Sequence, residues 1–472
     1  MAKIAMIGAG SIVFCKTLMM DIMATEALKE STFALMNRTK PKLDRIEGFA
    51  RKVLKENNLP GKITATLDSR EALKDADYVI NMIQVGGVDA FQKDYEIPMK
   101  YGVNQCIGDT MAPGGIFRAL RTIPVVVDIA HDMEELCPNA LLLNYANPMA
   151  MVCWALGEAT TINFVGLCHG VQTTADLISR YVGVNKKDMD FLCAGINHMD
   201  WFLKLEKDGE DLYPILKENI EKPEYYINEK VRCEVMRHFG YFMTESSGHL
   251  SEYLPWFRKS EKARELYCDQ PAFGGETGAY YKWCRKIAEK FTKVDYLEYE
   301  STKVGKRSNE YCSYIIEAKE TDKIFRFSGN VKNNRLITNL PSDCCVEVPV
   351  YADKIGLHPT YIGNLPSQCA ALCMSNVIPQ GLTVKAALTG NFEHVAHAVA
   401  MDPLTSAVLT LKEARDMAIE MYEAEKEDLP QFDEKKIKKV PTIRIPEGTK
   451  GVDVPLDPAL AIARRFGELE KR

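Results

Sequence analysis

Lys3-Ile-Ala-Met-Ile-Gly8-Ala-Gly10-Ser11 opens the chain as a short apolar run that breaks into two glycines and a serine. A buried strand that ends this way allows a tight turn and close backbone approach to a pyrophosphate, which then sits at the N-terminus of the next helix. The third glycine of the full fingerprint is replaced by Val13. The position of the loop, between a first strand and a helix, makes it a dinucleotide-binding loop through Gly8, Gly10 and Ser11. The following strand, Thr32-Phe-Ala-Leu-Met36, ends in Asn37-Arg38. Asn37 offers a hydrogen bond to the ribose of NAD, whereas Arg38 would accommodate a 2′-phosphate, so NADP stays open.

Working outward, Leu43, Ile46, Ala50, Val53 and Leu54 recur at helical spacing. Further strands are expected at 62–66, 78–83, 141–145 and 163–167. Strands alternating with helices indicate an α/β fold, a Rossmann-type doubly wound parallel sheet. Ligands of such sheets bind beyond the carboxyl ends of the strands. Gln84-Val-Gly86-Gly87, Asn147-Pro148 and Cys168-His169 all fall at such ends. Past residue 195 the segments lengthen, a β-rich passage runs over 325–351 and helical periodicity returns over 368–425. A polar tail, 429–472, ends in a helix. The expected organisation is a nucleotide-binding domain, 1–195, and an intimately packed α+β lobe, 196–472, which binds substrate and metal and carries any oligomer contact.

With 59 Lys+Arg against 65 Asp+Glu the net charge is −6, and no basic stripe marks a nucleic-acid surface. No apolar run reaches the roughly 18–20 residues that a membrane helix needs. The chain enters its first strand with no signal-peptide pattern, and its 14 cysteines lack framework spacing. They are expected to be reduced thiols in a cytoplasmic protein.

Candidate chemistry gathers at four places. Gly166-Leu-Cys-His-Gly-Val171 puts a thiol and an imidazole at a strand end, and Ala194-Gly-Ile-Asn-His198 adds Asn197 and a second imidazole. Thiolate and neutral imidazole suit a divalent metal, and few protein ligands leave positions open for substrate oxygens. The bland alternatives are a small buried thiol and a satisfied core histidine. Ile107-Gly-Asp109-Thr-Met-Ala-Pro-Gly-Gly115 sets a carboxylate before a helix, where a plain N-cap is the other reading. The run 240–253 holds Tyr241, Glu245, Ser246, Ser247, His249, Glu252 and Tyr253, a density suited to acid–base work or to a solvated helix face.

Taken together, Gly8-Ala-Gly10-Ser11, Asn144-Tyr-Ala-Asn147-Pro148, Gly166-Leu-Cys-His169, Ala194-Gly-Ile-Asn-His198 and Asn339-Leu-Pro341 with Val346-Glu-Val348 resemble glycoside hydrolase family 4 over nearly the whole chain. Asp109 to Pro124 and Tyr241-Phe-Met-Thr-Glu-Ser-Ser247 resemble its α-galactosidase branch. This family is an exception to the two-carboxylate scheme of glycosidases. The resemblance implies that NAD⁺ takes a hydride from sugar C3, which acidifies the C2 proton. A divalent metal, usually Mn²⁺, stabilises the enediolate, a base removes the proton, and the glycosidic oxygen leaves. Water then adds and NADH returns the hydride.

By motif, Cys168 and His198 are the implied metal ligands, and Asn147, Asn197 and His169 the substrate contacts, with Gln84 and Gly86 near the cofactor. His169 stands where phosphosugar-cleaving members carry Asn or Asp, which implies an unphosphorylated α-hexoside, an α-galactoside first and an α-glucoside second. The C2 base does not transfer by motif; Glu245, His249 and Tyr253 are candidates, with Asp109 an acid or substrate contact. Three departures from the branch are Gly170 for a usual Ser, Gly248 for a usual acid and Arg335 for a usual Gly. Loss of a carboxylate and gain of a guanidinium suit a uronide, so an α-glucuronidase or α-galacturonidase is the alternative within the family. A dehydrogenase of lactate/malate type and a nucleotide-sensing regulator are the alternatives outside it. The family implies a homodimer or homotetramer.

Overall fold

The computed structural model describes residues 1–11, 14–293, 295–455 and 457–470; Val13 of the glycine loop lies outside them. Six strands build the first half of one sheet: β1 (Lys3–Ile7), β2 (Thr32–Met36), β3 (Lys62–Thr66), β4 (Tyr78–Asn81), β5 (Leu141–Asn144) and β6 (Asn163–Gly166). They lie parallel in the order β3-β2-β1-β4-β5-β6, the doubly wound dinucleotide-binding arrangement. β1, β2, β4 and β5 are buried almost throughout because both faces are covered by helices, whereas the outer strand β3 alternates polar and apolar residues and is largely accessible. β4, β5 and β6 end one or two residues earlier than the apolar pattern suggests, since Met82, Tyr145 and Leu167 are buried without being paired as strand.

The same sheet continues beyond residue 166. β7 (Asp190–Ile196), β8 (Met199–Lys207), β9 (Glu210–Asp211), β10 (Phe325–Lys332), β11 (Cys345–Ala352) and β12 (Leu357–Pro359) are antiparallel. In space β10 and β11 come between β6 and β7, giving the order β6-β10-β11-β7-β8-β9. The joins are narrow: β6 meets β10 through Gly166 and Asn330, and β11 meets β7 through Glu347 and Gly195. At both joins the glycine leaves space that nothing else can. A Cβ on Gly166 would lie 2.5 Å from Met149 Sδ, and one on Gly195 would lie 2.4 Å from the Met199 carbonyl oxygen. The halves expected on either side of residue 195 therefore share one sheet, inside one compact unit, Met1–Lys438.

The residues Lys439–Arg472 form a second unit with a helix at Pro458–Leu469. No helix among the described residues is long and apolar enough to cross a membrane.

Helices Gly87–Lys100, Ala112–Leu136 and Leu411–Glu425 meet around a buried guanidinium. Arg121 is forked onto Asp94 at 2.9 and 2.6 Å and also donates to Glu425. Removing one partner of such a buried ionic group strands the others without water. Arg121→Met is expected to destabilise the protein by about 3–5 kcal/mol. Arg415→Met, which cuts a more exposed pair with Glu393, should stay within about 1 kcal/mol. Urea midpoints of the two variants check this, and equal losses would show that the buried network is not a keystone.

Candidate functional site

The glycine loop comes to rest where β1, β2 and β4 end. The Gly8 and Ala9 N–H groups donate to the Met36 carbonyl at 3.0 and 2.9 Å, and Gly8 packs against the backbone of Met82 and Ile83. Gly10 faces the Asn37 amide, whose Oδ1 accepts from Thr39 N–H at 2.8 Å. Arg38 is exposed and has no side-chain partner among the described residues. Gln84 is exposed beside Gly86, which caps helix Gly87–Lys100 in the left-handed region at φ +75°. Gly8, Gly10, Ser11, Asn37, Gln84 and Gly86 thus line one edge of the sheet, at the switch point where dinucleotides bind.

Further along the same edge, Cys168 follows β6 and precedes helix Gly170–Val182. Gly170 N–H donates to Cys168 Sγ at 3.4 Å. His198 sits in the tight turn between β7 and β8, 5% exposed. A third segment runs beside β8: Phe202 N–H donates to Phe242 O at 2.9 Å and Thr244 N–H to Asp200 O at 3.0 Å. That pairing delivers Glu245. Among the described residues, cis peptide bonds occur at Asn147–Pro148, Asn197–His198 and Thr244–Glu245, each involving a residue singled out here.

One ligand atom each from Cys168, His198 and Glu245 lies within 4.8 Å of the other two. Glu245 Oε2 is 3.7 Å from Cys168 Sγ and 3.7 Å from His198 Nε2. The opposite nitrogen, Nδ1, is 3.3 Å from Tyr253 OH. Burial pushes the Cys168 thiol well up, and the Glu245 and Glu347 carboxylates add to this; the Gly170 N–H works the other way. Burial also opposes the Glu245 carboxylate, yet the imidazoles of His198, His249 and His169 and the Arg232 guanidinium outweigh it and hold it down to about 2. A divalent cation among these atoms would satisfy the carboxylate and reverse the thiol's shift. Thiolate, imidazole and carboxylate on one spot are a donor set for such an ion.

Around the trio stand the other expected groups. Asp109 Oδ2 accepts from Asn147 Nδ2 at 3.2 Å and lies 3.6 Å from Arg118 Nη1, while Thr110 donates to Oδ1 at 2.7 Å. Burial alone would raise the Asp109 carboxyl, but Arg118, His249 and Thr110 bring it below its ordinary range. Glu252 accepts from the backbone N–H groups of Cys106, Ile107 and Gly108 and so fixes the loop that carries Asp109. The His249 ring packs edge-on against His198 at 4.9 Å, and its Nδ1 is 2.8 Å from Ser246 Oγ.

Three expected residues stand apart. Asn197 is 1% exposed and donates to Glu347 Oε2 at 3.0 Å, bracing the turn of His198. His169 lies half-exposed at the rim, 3.7 Å from Glu310. Arg335 is exposed in the turn after β10, with no side-chain partner among the described residues, at φ +66°. A left-handed backbone accounts for the glycine usual at that position. Gly248 likewise has a packing reason, since a Cβ there would lie 2.3 Å from the Phe273 carbonyl oxygen. No site role is read from the sequence for Arg118 or Glu347, because a buried charge in a helix or an apolar strand carries no periodic signature, nor for Glu310, which lies in the loop before helix Cys312–Thr321.

The family 4 glycosyl hydrolase pattern matches residues 3–184, and the pattern of that family's C-terminal domain matches residues 193–405. The chain belongs to glycosyl hydrolase family 4. This family 4 enzyme is 42% identical to an α-galactosidase of Bacillus subtilis (strain 168) over 435 residues, 92% of this chain and 100% of that one. It is 40% identical to an α-galactosidase of Rhizobium meliloti (strain 1021) over 442 residues, 91% of this chain and 89% of that one. Its fold superposes on a 6-phospho-β-glucosidase from Thermotoga maritima, solved with manganese, NAD⁺ and glucose 6-phosphate. The TM-score is 0.74 at 22% identity, over 90% of this chain and 98% of that one.

Burial pushes the His249 imidazole down from 6.5 to about 4; Glu245 opposes the shift and His198 adds to it. The fold therefore holds a neutral ring. That contribution is complete above pH 6.5 and is lost as pH falls through about 4. Metal-free wild type should lose stability to acid more steeply than His249→Gln between these values, read from urea midpoints at each pH. Parallel curves would contradict a buried neutral His249.

Proposed function

We propose that this family 4 enzyme is a cytoplasmic homo-oligomeric glycosidase that hydrolyses unphosphorylated α-galactosides with bound NAD and a divalent metal, Mn²⁺. The observation that carries the reading is the placing of Cys168 and His198, donors from two different strand ends, on the sheet edge that bears the dinucleotide loop. When bound, NAD supplies a reversible hydride acceptor for sugar C3 and the metal supplies Lewis-acid polarisation of the neighbouring oxygens, so that the C2 proton becomes removable. The α-galactosidase relatives support the sugar and anomer.

The chain's own groups divide the remaining work. Gly8, Gly10 and Ser11 hold the pyrophosphate, and Asn37 offers its amide to the ribose. Cys168 and His198 hold the metal. Tyr253, bonded to His198 Nδ1, orients that ring. Asn147 and Asp109, braced by Arg118, present an amide and a carboxylate for sugar hydroxyls. His249 is the C2 base: the ring is held neutral, Ser246 fixes Nδ1, and Nε2 has no partner among the described residues. His169 and Glu310 form the rim, where a carboxylate disfavours a phosphate dianion. The nucleotide half, 1–195, and the substrate half, 196–472, are functional divisions of the chain. The 14 free thiols, buried except Cys168 and Cys284, suit a reducing compartment.

With Arg335 unpartnered at the surface and Gly248 explained by packing, the carboxylated-sugar alternative loses the two residues that favoured it. A panel of aryl α-galactosides, α-glucosides and α-galacturonides, assayed with NAD⁺, Mn²⁺ and a reductant, should give the highest kcat/KM on the α-galactoside. Sugar should be released without net NADH, and EDTA should abolish turnover. A preference for the uronide, stoichiometric NADH, or full activity in EDTA would each overturn the reading. His249→Gln is expected to lower kcat by about 100-fold or more and to suppress solvent deuterium exchange at C2. Unchanged exchange would move the base elsewhere.

A further inference from the structure

The role of Gly170 is not explained by the reaction above. Its neighbours are telling: a Cβ at this position would lie 2.2 Å from Glu245 Oε2, 3.1 Å from Glu245 Cδ and 3.6 Å from Cys168 Sγ. The missing side chain is thus the space that the Glu245 carboxylate occupies. From the other side, pairing of 242–244 with β8 fixes the backbone that bears Glu245. The Gly170 N–H meanwhile holds Cys168 Sγ. One residue therefore sets both the thiol and the room for the carboxylate.

We propose that Glu245 is a third protein ligand of the metal, and that Gly170 is the specificity-determining residue that admits its carboxylate to the metal's inner sphere. The inference rests on the metal-dependent reading of the site. Thiolate and carboxylate together balance a divalent ion, and the imidazole completes one face of it. Cys168, His198 and Glu245 would hold such an ion through three protein atoms, and the ion would supply Lewis-acid polarisation of substrate oxygens. A serine at position 170, usual in the α-galactosidase branch, would force Glu245 away and leave a two-ligand site with a net positive charge. The same assignment removes Glu245 from the candidates for the C2 base.

The test is a Mn²⁺ titration followed by electron paramagnetic resonance on NAD-loaded protein, with folding of each variant checked by circular dichroism. Glu245→Gln is expected to weaken Mn²⁺ binding by at least about tenfold, the lower bound seen even for outer-shell partners of metal ligands. Gly170→Ser should weaken it comparably, and Gly170→Ala likewise, since the clash begins at Cβ. The double variant Gly170→Ser, Glu245→Gln should bind no more weakly than Glu245→Gln alone, because both changes remove one interaction. Additive losses, or a Glu245→Gln protein that binds Mn²⁺ like wild type and yet fails to turn over, would overturn the ligand assignment while leaving the metal-dependent reaction intact. A wild type that binds no Mn²⁺ would overturn both.

Discussion

The site depends on two single-residue joins in the sheet. Gly166 meets Asn330 and Gly195 meets Glu347, and Cys168 and His198 follow these two glycines within three residues. Because β10 and β11 separate β6 from β7, the thiol and the imidazole issue from strands that never touch. Glu347 does more than pair backbone. Its carboxylate takes the Asn197 amide; burial, with the neighbouring Glu347, pushes Asp200 well up, and burial raises Glu347 against the Asn197 and Asp200 hydrogen bonds. The brace behind the His198 turn is the hydrogen bond from the Asn197 amide to Glu347. A fully ionised pair at that depth would cost far more than its geometry returns.

A second constraint is electrostatic. The buried edge brings Cys168, Glu245 and Asp109 together, against His198, His249, Arg118 and Arg232. Arg232 is held by Glu229 and packs over Phe242, at the far side of the segment that carries Glu245. Arginines and imidazoles thus both face the acids of this edge. Such a site favours a cation over a proton at its centre.

Much of the fold was legible in the chain itself. The apolar runs at 3–7 and 32–36 give two strands of the nucleotide half, because a strand buried on both faces must be apolar throughout, while the outer strand at 62–66 alternates polar and apolar residues. The metal-capable pair Cys168 and His198 was legible through motifs at strand ends. Other features could not be read. Strand order beyond β6 depends on residues more than a hundred positions apart. Glu347 lies between two valines and looks like the exposed half of an alternating strand, yet it is buried. The Asn197 motif suggests a substrate contact and gives no sign of the hydrogen bond that its amide makes to Glu347. Arg335 and Gly248 suggest an altered substrate in the sequence; in the structure Arg335 keeps a left-handed backbone that suits glycine, and Gly248 abuts a neighbouring carbonyl.

The interleaving of β10 and β11 between β6 and β7 also has a consequence in time. The ribosome makes Cys168 and His198 early, but the strands that join their parent strands span residues 325–352. Until that segment has been made, the hairpin bearing His198 has no edge on which to dock. The strands that bring Cys168 and His198 together are complete only after about three quarters of the chain has been made, so order of synthesis and order of assembly are uncoupled here.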